Sequence, residues 1–246
     1  MIHLYYAVFS SVDPAKLIPE YSSKIDPERL QKVIRTKADS AKVRSLIAGY
    51  LLQVGVKRHL EENRAGSAEF MEAFADAEAV LPLRYRYTDQ GKPYLADYPG
   101  LYFNLSHSGN VAVCAVADFE IGTDVQIYGK GREAVAKRFF TGKEQETLQR
   151  AKEEGRFEEV FFSLWSIKES YLKYTGLGMK MGLDSFEIDF DRQRIIDLSD
   201  KEESEKQESE KRVYFRQISL PNLSEYAASV CCGCEKMEIA IHQIPI

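Results

Sequence analysis

Hydrophobic and polar positions along the chain switch between a period of two and a period near 3.6, and the switches predict the elements. Residues 2–9 are an apolar and aromatic run of strand character. Asp26-Pro27-Glu28 then marks a helix start, a capping aspartate with proline in the first turn. Leu46, Ile47, Tyr50, Leu51 and Val54 recur at helical spacing, so helix is predicted to about Leu60, with a further short helix over 68–79. Residues 84–88 lead into Gly91-Lys92-Pro93, a turn. Between 101 and 128, LYFNLSHS, NVAVCAVAD and EIGTDVQI read as three strands of a meander. Helices follow at 132–139, 143–154 and 156–175, the last ended by Gly176. Strands return at 185–191, 212–218, 226–232 and 237–243. KEESEKQESEKR, at 201–212, has no apolar residue and reads as an exposed hairpin tip.

Two segments echo one another. VAVCAVADFEIGTDVQI (111–127) and ASVCCGCEKMEIAIHQI (228–244) share a strand–turn–strand pattern, each after a helix-rich stretch. Two similar α+β halves, joined near 100–115 or at 128, account for the echo.

Composition narrows the class. With 246 residues, 44% hydrophobic and 11% aromatic, the chain is long enough for a real core and is not disordered as a whole. No apolar stretch approaches the roughly 20 residues of a membrane helix, so no membrane span is expected. The start, MIHLYYAVFS, reads as a strand and not as a signal peptide. Four cysteines, three of them clustered at 231, 232 and 234, do not make a secreted disulfide framework, and a cytoplasmic protein is the expectation.

The net charge of −5 argues against nucleic acid as a partner, but it conceals a local excess. Residues 24–44 carry seven basic side chains against three acidic ones, a net of +4, which leaves −9 for the rest. A basic patch on an acidic chain fits a discrete anionic ligand, or else a solvated helix face.

Three segments could carry chemistry. Asn104-Leu105-Ser106-His107-Ser108 places donors for an anion at a strand end. In Gly122-Thr123-Asp124-Val125-Gln126, Asp124 and Gln126 share a strand face. A carboxylate and an amide oxygen are half of a Mg²⁺ site; equally, they are a polar strand face. Trp165, Glu169 and Lys173 share one helical face at i, i+4 and i+8, where Glu-to-Lys is also a routine helix pair.

Taken together, FNLSHSG, IGTDVQ and FFSLWSIKESYLKYTGLGM resemble the signature of the Sfp-type 4'-phosphopantetheinyl transferases, over about residues 26–235. The resemblance implies two similar α/β halves related by a pseudo-twofold axis, with the active site between the halves. Residues 1–110 and 111–246 are the expected halves, and a monomer is the expected state. It implies an enzyme of the holo-[acyl-carrier-protein] synthase kind. Such an enzyme moves 4'-phosphopantetheine from coenzyme A to a serine of an apo acyl or peptidyl carrier protein, with Mg²⁺, and releases 3',5'-ADP.

Residue by residue, Asp124 and Glu169 match the carboxylates that hold Mg²⁺, with Gln126 where many members carry a second acid. Ser106 and His107 match contacts to coenzyme A phosphates, and Lys173 matches the lysine near the pyrophosphate. Lys92 and Pro93 belong to a turn lining the adenine side, and Arg29, Lys32 and Arg44 match the 3'-phosphate clamp. Glu169, or a metal-bound water, is the expected base. Arg132, Lys137, Arg138 and Lys143, with Phe139 and Phe140, form an expected docking surface for an acidic carrier. The competing readings are a non-catalytic relative that binds coenzyme A or a carrier protein, and a metal or redox role for Cys231-Cys232-x-Cys234. Against the second stands the ordinary role of strand cysteines as small buried side chains.

Overall fold

The computed structural model describes residues 1–9, 13–63, 80–81, 83–130, 132–198 and 212–246. The helix expected at 68–79 lies outside them, as does the charged run apart from Arg212. The described chain is α+β and divides into two units. One comprises Met1–Tyr87, Pro93–Phe119 and Glu238–Ile246, the other Thr88–Lys92 and Glu120–Met237.

The first unit opens with β1 (Ile2–Val8). A helix not anticipated from the sequence, α1 (Pro14–Ser22), starts where the Asp13 carboxylate accepts the Ala15 N–H at 3.0 Å. In α2 (Pro27–Arg35) the buried Asp26 serves two donors, the Arg29 N–H at 2.8 Å and the Tyr85 hydroxyl at 2.8 Å. The single helical region expected to Leu60 is in fact two helices. Thr36 leaves α2 with extended backbone, and α3 (Asp39–Asn63) begins anew. A hairpin follows from β2 (Tyr85–Tyr87) and β3 (Pro93–Leu95). Then come β4 (Tyr102–Ser108) and β5 (Val111–Ala117), paired antiparallel.

β5 also runs antiparallel to β1, and β1 runs parallel to β11 (Ile239–Gln243), giving the order β11-β1-β5-β4. α3 packs on this sheet, burying Tyr5, Leu46, Ile47, Leu51, Val56 and Val116 in one cluster.

The second unit contains β6 (Ile121–Ile127), α4 (Glu133–Phe139), α5 (Gly142–Glu153) and α6 (Phe157–Thr175). It continues through β7 (Phe186–Asp189), β8 (Arg194–Asp197), β9 (Val213–Ile218) and β10 (Tyr226–Cys232). All pairings are antiparallel, in the order β6-β10-β9-β8-β7. The expected meander is therefore corrected: β4 and β5 are neighbours, but β6 pairs with β10 in the other sheet. The chain passes between the units at Tyr87/Thr88, Lys92/Pro93, Phe119/Glu120 and Met237/Glu238, and β5 stays with β1 and β4. The echoed segments have a topological meaning. Each begins in one sheet and ends in the other, β5 to β6 and β10 to β11.

The edge of the first sheet holds a cluster of titratable groups. His3 Nδ1 lies 3.3 Å from His242 Nε2, and His3 Nε2 lies 3.3 Å from a Glu62 carboxylate oxygen. The Tyr5 ring stacks on His242 at 4.9 Å, and the Arg58 guanidinium sits 5.5 Å from the Tyr5 ring. Burial, then the His3 and Arg58 charges, hold the His242 imidazole below its ordinary range, with Glu62 opposing. A depressed imidazole supports the fold above its unfolded pKa of about 6.5, and that support is lost as pH falls. The unfolding temperature is expected to drop between about pH 7 and pH 5, and His242→Gln to shallow that drop. Identical slopes for the two proteins in thermal scans would refute it.

Candidate active site

The site starts from a contact without side chains. Gly122 on β6 faces α6 so closely that a Cβ there would stand 2.0 Å from the Ser170 carbonyl oxygen and 2.5 Å from the Tyr174 nitrogen. Small polar residues continue the seam. Ser166 Oγ meets Ser229 Oγ at 2.7 Å, and Ser170 Oγ meets Cys231 Sγ at 2.9 Å. Ser229 and Cys231 are the β10 partners of Asp124 and Gly122. The period of two carries the α6-facing side of β6 from Gly122 to Asp124 to Gln126. On α6 the i, i+4 spacing delivers Glu169 and Lys173 to the same seam.

There Asp124, 1% exposed, receives Lys173 Nζ on Oδ1 at 2.6 Å and Gln126 Nε2 on Oδ2 at 2.9 Å. Glu169 is half-buried. Burial first, and then the Asp124 charge, raise its carboxyl above the ordinary range, with Lys173 opposing. The result is two carboxylates held against their mutual repulsion, with one ammonium in partial compensation. Such an oxygen-rich pair suits a hard divalent cation. Gln126 hydrogen bonds Asp124, leaving its amide oxygen as a further neutral acceptor.

The neighbouring motif lysine has a different role, one that sequence reasoning missed. Lys168 is 0% exposed and donates to the Leu183 and Phe186 carbonyls at 2.7 and 2.9 Å. It also pairs with Glu144 at 2.9 Å. Burial lowers its pKa, and Glu144 opposes the shift. Glu144 itself closes the capping box of α5 and accepts the Ile188 N–H at 3.1 Å. Lys168 therefore fixes the roll of α6 that presents Glu169 and Lys173. The signal available in the sequence was its place between Leu164 and Leu172, a cation at a core position.

Lys92 is also committed within the protein. Its ammonium binds Glu120, the Ile121 carbonyl at 3.0 Å and the Tyr174 carbonyl at 2.9 Å, so it caps the last turn of α6 ahead of Gly176, whose φ is 73°. Pro93 opens β3 in the first unit. The other expected ligand residues also belong to the first unit. Ser106 is buried on β4 and His107 exposed beside it, Lys32 is exposed on α2, and Arg44 is half-buried on α3. Arg29 lies 5.7 Å over the Tyr85 ring, and its Nε is buried with no hydrogen-bond partner, a donor set for an anion. Of the expected docking phenylalanines, Phe140 is core, while Phe139 is half-buried and meets Trp165 edge-on at 6.3 Å. Lys137 and Arg138 are exposed on α4.

Two substitutions test this framework in urea titrations. Gly122→Ala is expected to cost about 3 kcal/mol or more, since backbone blocks the new Cβ. Lys168→Ala is expected to cost about 3–5 kcal/mol by leaving Glu144 buried and unpaired. Wild-type stability for either would overturn the corresponding role.

Comparison with known proteins agrees with this geometry. The model of the 4'-phosphopantetheinyl transferase superfamily matches residues 120–231, the stretch that contains β6 and α6. The Bacillus subtilis (strain 168) protein "4'-phosphopantetheinyl transferase Sfp" is 30% identical over 182 residues, 73% of this chain and 74% of that protein. A Bacillus subtilis 4'-phosphopantetheinyl transferase is 43% identical over 100 residues, 41% of this chain and 44% of its own length. The Bacillus pumilus protein "4'-phosphopantetheinyl transferase psf-1" is 41% identical over 114 residues, 46% and 48% respectively. The chain thus spans about half the length of two of these relatives and three quarters of the third. By the extent of the Sfp match, the chain belongs to the Sfp-type 4'-phosphopantetheinyl transferase family.

Proposed function

We propose that the protein transfers 4'-phosphopantetheine from coenzyme A to a serine of an apo acyl or peptidyl carrier protein, releasing 3',5'-ADP. The observation that carries this reading is the seam of Asp124, Glu169 and Lys173, two carboxylates and an ammonium between one strand and one helix. The names of the relatives support it.

The reaction breaks the pyrophosphate of coenzyme A, so its demands are charge neutralisation and in-line positioning. Asp124 and Glu169 would hold Mg²⁺, with Gln126 orienting Asp124 and offering its amide oxygen nearby. When bound, Mg²⁺ neutralises pyrophosphate charge. Lys173, on Asp124 at 2.6 Å, is the group that stabilises the leaving phosphate. Glu169, half-buried beside Asp124, is the group that takes the serine proton on a carboxylate oxygen.

In the first unit, the unpartnered buried Nε of Arg29 supports a phosphate clamp in which Lys32, Arg44, Ser106 and His107 take part. Because the Lys92 ammonium already has three acceptors, its turn lines the ligand through backbone and Pro93, not as a free charge. Arg132, Lys137 and Arg138 are exposed around α4 and suit the acidic surroundings of a carrier serine, with Phe139 as the apolar anchor.

Incubation with coenzyme A, Mg²⁺ and a panel of apo carriers is expected to add about 340 Da to a carrier in mass spectra. Glu169→Gln is expected to slow transfer by about 10²-fold or more with an unchanged circular dichroism spectrum. No mass gain on any carrier would remove the transferase reading, and undiminished activity in Glu169→Gln would return Glu169 to a plain helix pair.

A further inference from the structure

The three clustered cysteines do not behave alike. Cys231 is spent on packing, its Sγ 2.9 Å from Ser170 Oγ and 3.8 Å from the Ile167 carbonyl, on the α6 side of β10. Cys232 is the last residue of β10, fully buried and fixed on both sides by pairing, with Ile121 on β6 and Tyr214 on β9. The strand stops there, so Cys234 does not continue its face. The chain instead turns around the Cys232 sulfur, which lies 3.4 Å from the Cys234 N–H donor nitrogen and 3.6 Å from the Cys234 carbonyl oxygen. The Cys232 sulfur is thus held against the backbone of Cys234, across the single residue Gly233.

Three further observations mark the pair as chemistry more than packing. Cys234 is only part-buried, so it can meet a small oxidant, whereas Cys232 is fully buried. Gly233 between them lets the backbone adjust to ring closure. Arg216 donates to the Glu235 carbonyl at 3.0 Å, tying down the far side of the turn.

We infer that Cys232 and Cys234 form a reversible intramolecular disulfide, with Cys234 the residue first oxidised and Cys232 the one that resolves it. With hydrogen peroxide as oxidant, the Cys234 thiolate attacks one peroxide oxygen, the O–O bond breaks, Cys234 becomes a sulfenic acid, and the departing hydroxide takes up the proton lost by the thiol and leaves as one water. The Cys232 thiolate then attacks the Cys234 sulfur, the S–S bond forms, and the sulfenic hydroxyl leaves as a second water with the proton from Cys232. Two thiols are oxidised by two electrons and one peroxide is reduced to two waters. The pair sits under the end of α6, where the Tyr174 hydroxyl is 3.5 Å from where a Cβ on Gly233 would lie. The inference does not depend on the transferase reading.

The full chain, reduced and then treated with hydrogen peroxide, is expected to lose about 2 Da, to regain it with dithiothreitol, and to give fragments linked between residues 232 and 234. Cys231→Ser is expected to keep the 2 Da loss and Cys234→Ser to abolish it. Cys234→Ser alters a part-buried loop residue, and an unchanged circular dichroism spectrum controls for folding. The inference is overturned if Cys234 gains oxygen without a link, if the mass is unchanged, or if the loss survives in Cys234→Ser.

Discussion

The second unit depends on one contact, the approach of the α6 backbone to the β6 backbone at Gly122. Any side chain at that position would collide with the Ser170 carbonyl and with Tyr174, so the helix would have to lift from the sheet. Because β6 advances by two residues per side-chain repeat, the same contact determines where Asp124 arrives. Because α6 repeats every 3.6 residues, it also determines which residues meet Asp124. The hydroxyl and thiol neighbours, Ser166, Ser170, Ser229 and Cys231, keep the seam thin and supply its internal hydrogen bonds. The acidic site is thus a product of close packing as much as of charge.

Three lysines around α6 illustrate how environment separates identical side chains. Lys168 is buried among carbonyls and one carboxylate, and its energy is structural. Lys92 closes the end of the helix, where a cation meets the partial negative charge of the last carbonyls. Lys173 is the one of the three whose ammonium stands on the Asp124 carboxylate, at the strand–helix seam. No composition or charge count distinguishes these roles; burial and partners do.

Local features of the fold were legible in the sequence. Asp26-Pro27 opens α2, Gly176 ends α6, and Gly91-Lys92 makes the hairpin turn, because capping and turn chemistry act within a few residues. What the sequence withheld is pairing. β6 looks like the third strand of a meander, yet its partner is β10, about a hundred residues later, and no local pattern encodes that choice. β8 escaped notice because RIID is short and follows a turn at Gln193, where φ is 49°. α1 escaped because Pro19 lies within it. Of the candidate site, residue types and spacing were readable on β6 and α6, whereas the structural duties of Lys168 and Lys92 required the third dimension.

The parallel pairing of β11 with β1 has a consequence for biosynthesis. The first unit includes Glu238–Ile246, yet all of the second unit except Thr88–Lys92 is translated between β5 and β11. A nascent chain emerging from the ribosome cannot finish the unit it begins first. β1, paired with β5 on one side, keeps its other side open while most of the second unit is made, and the second unit can consolidate before the first. Order of synthesis and order of completion are therefore reversed in this protein.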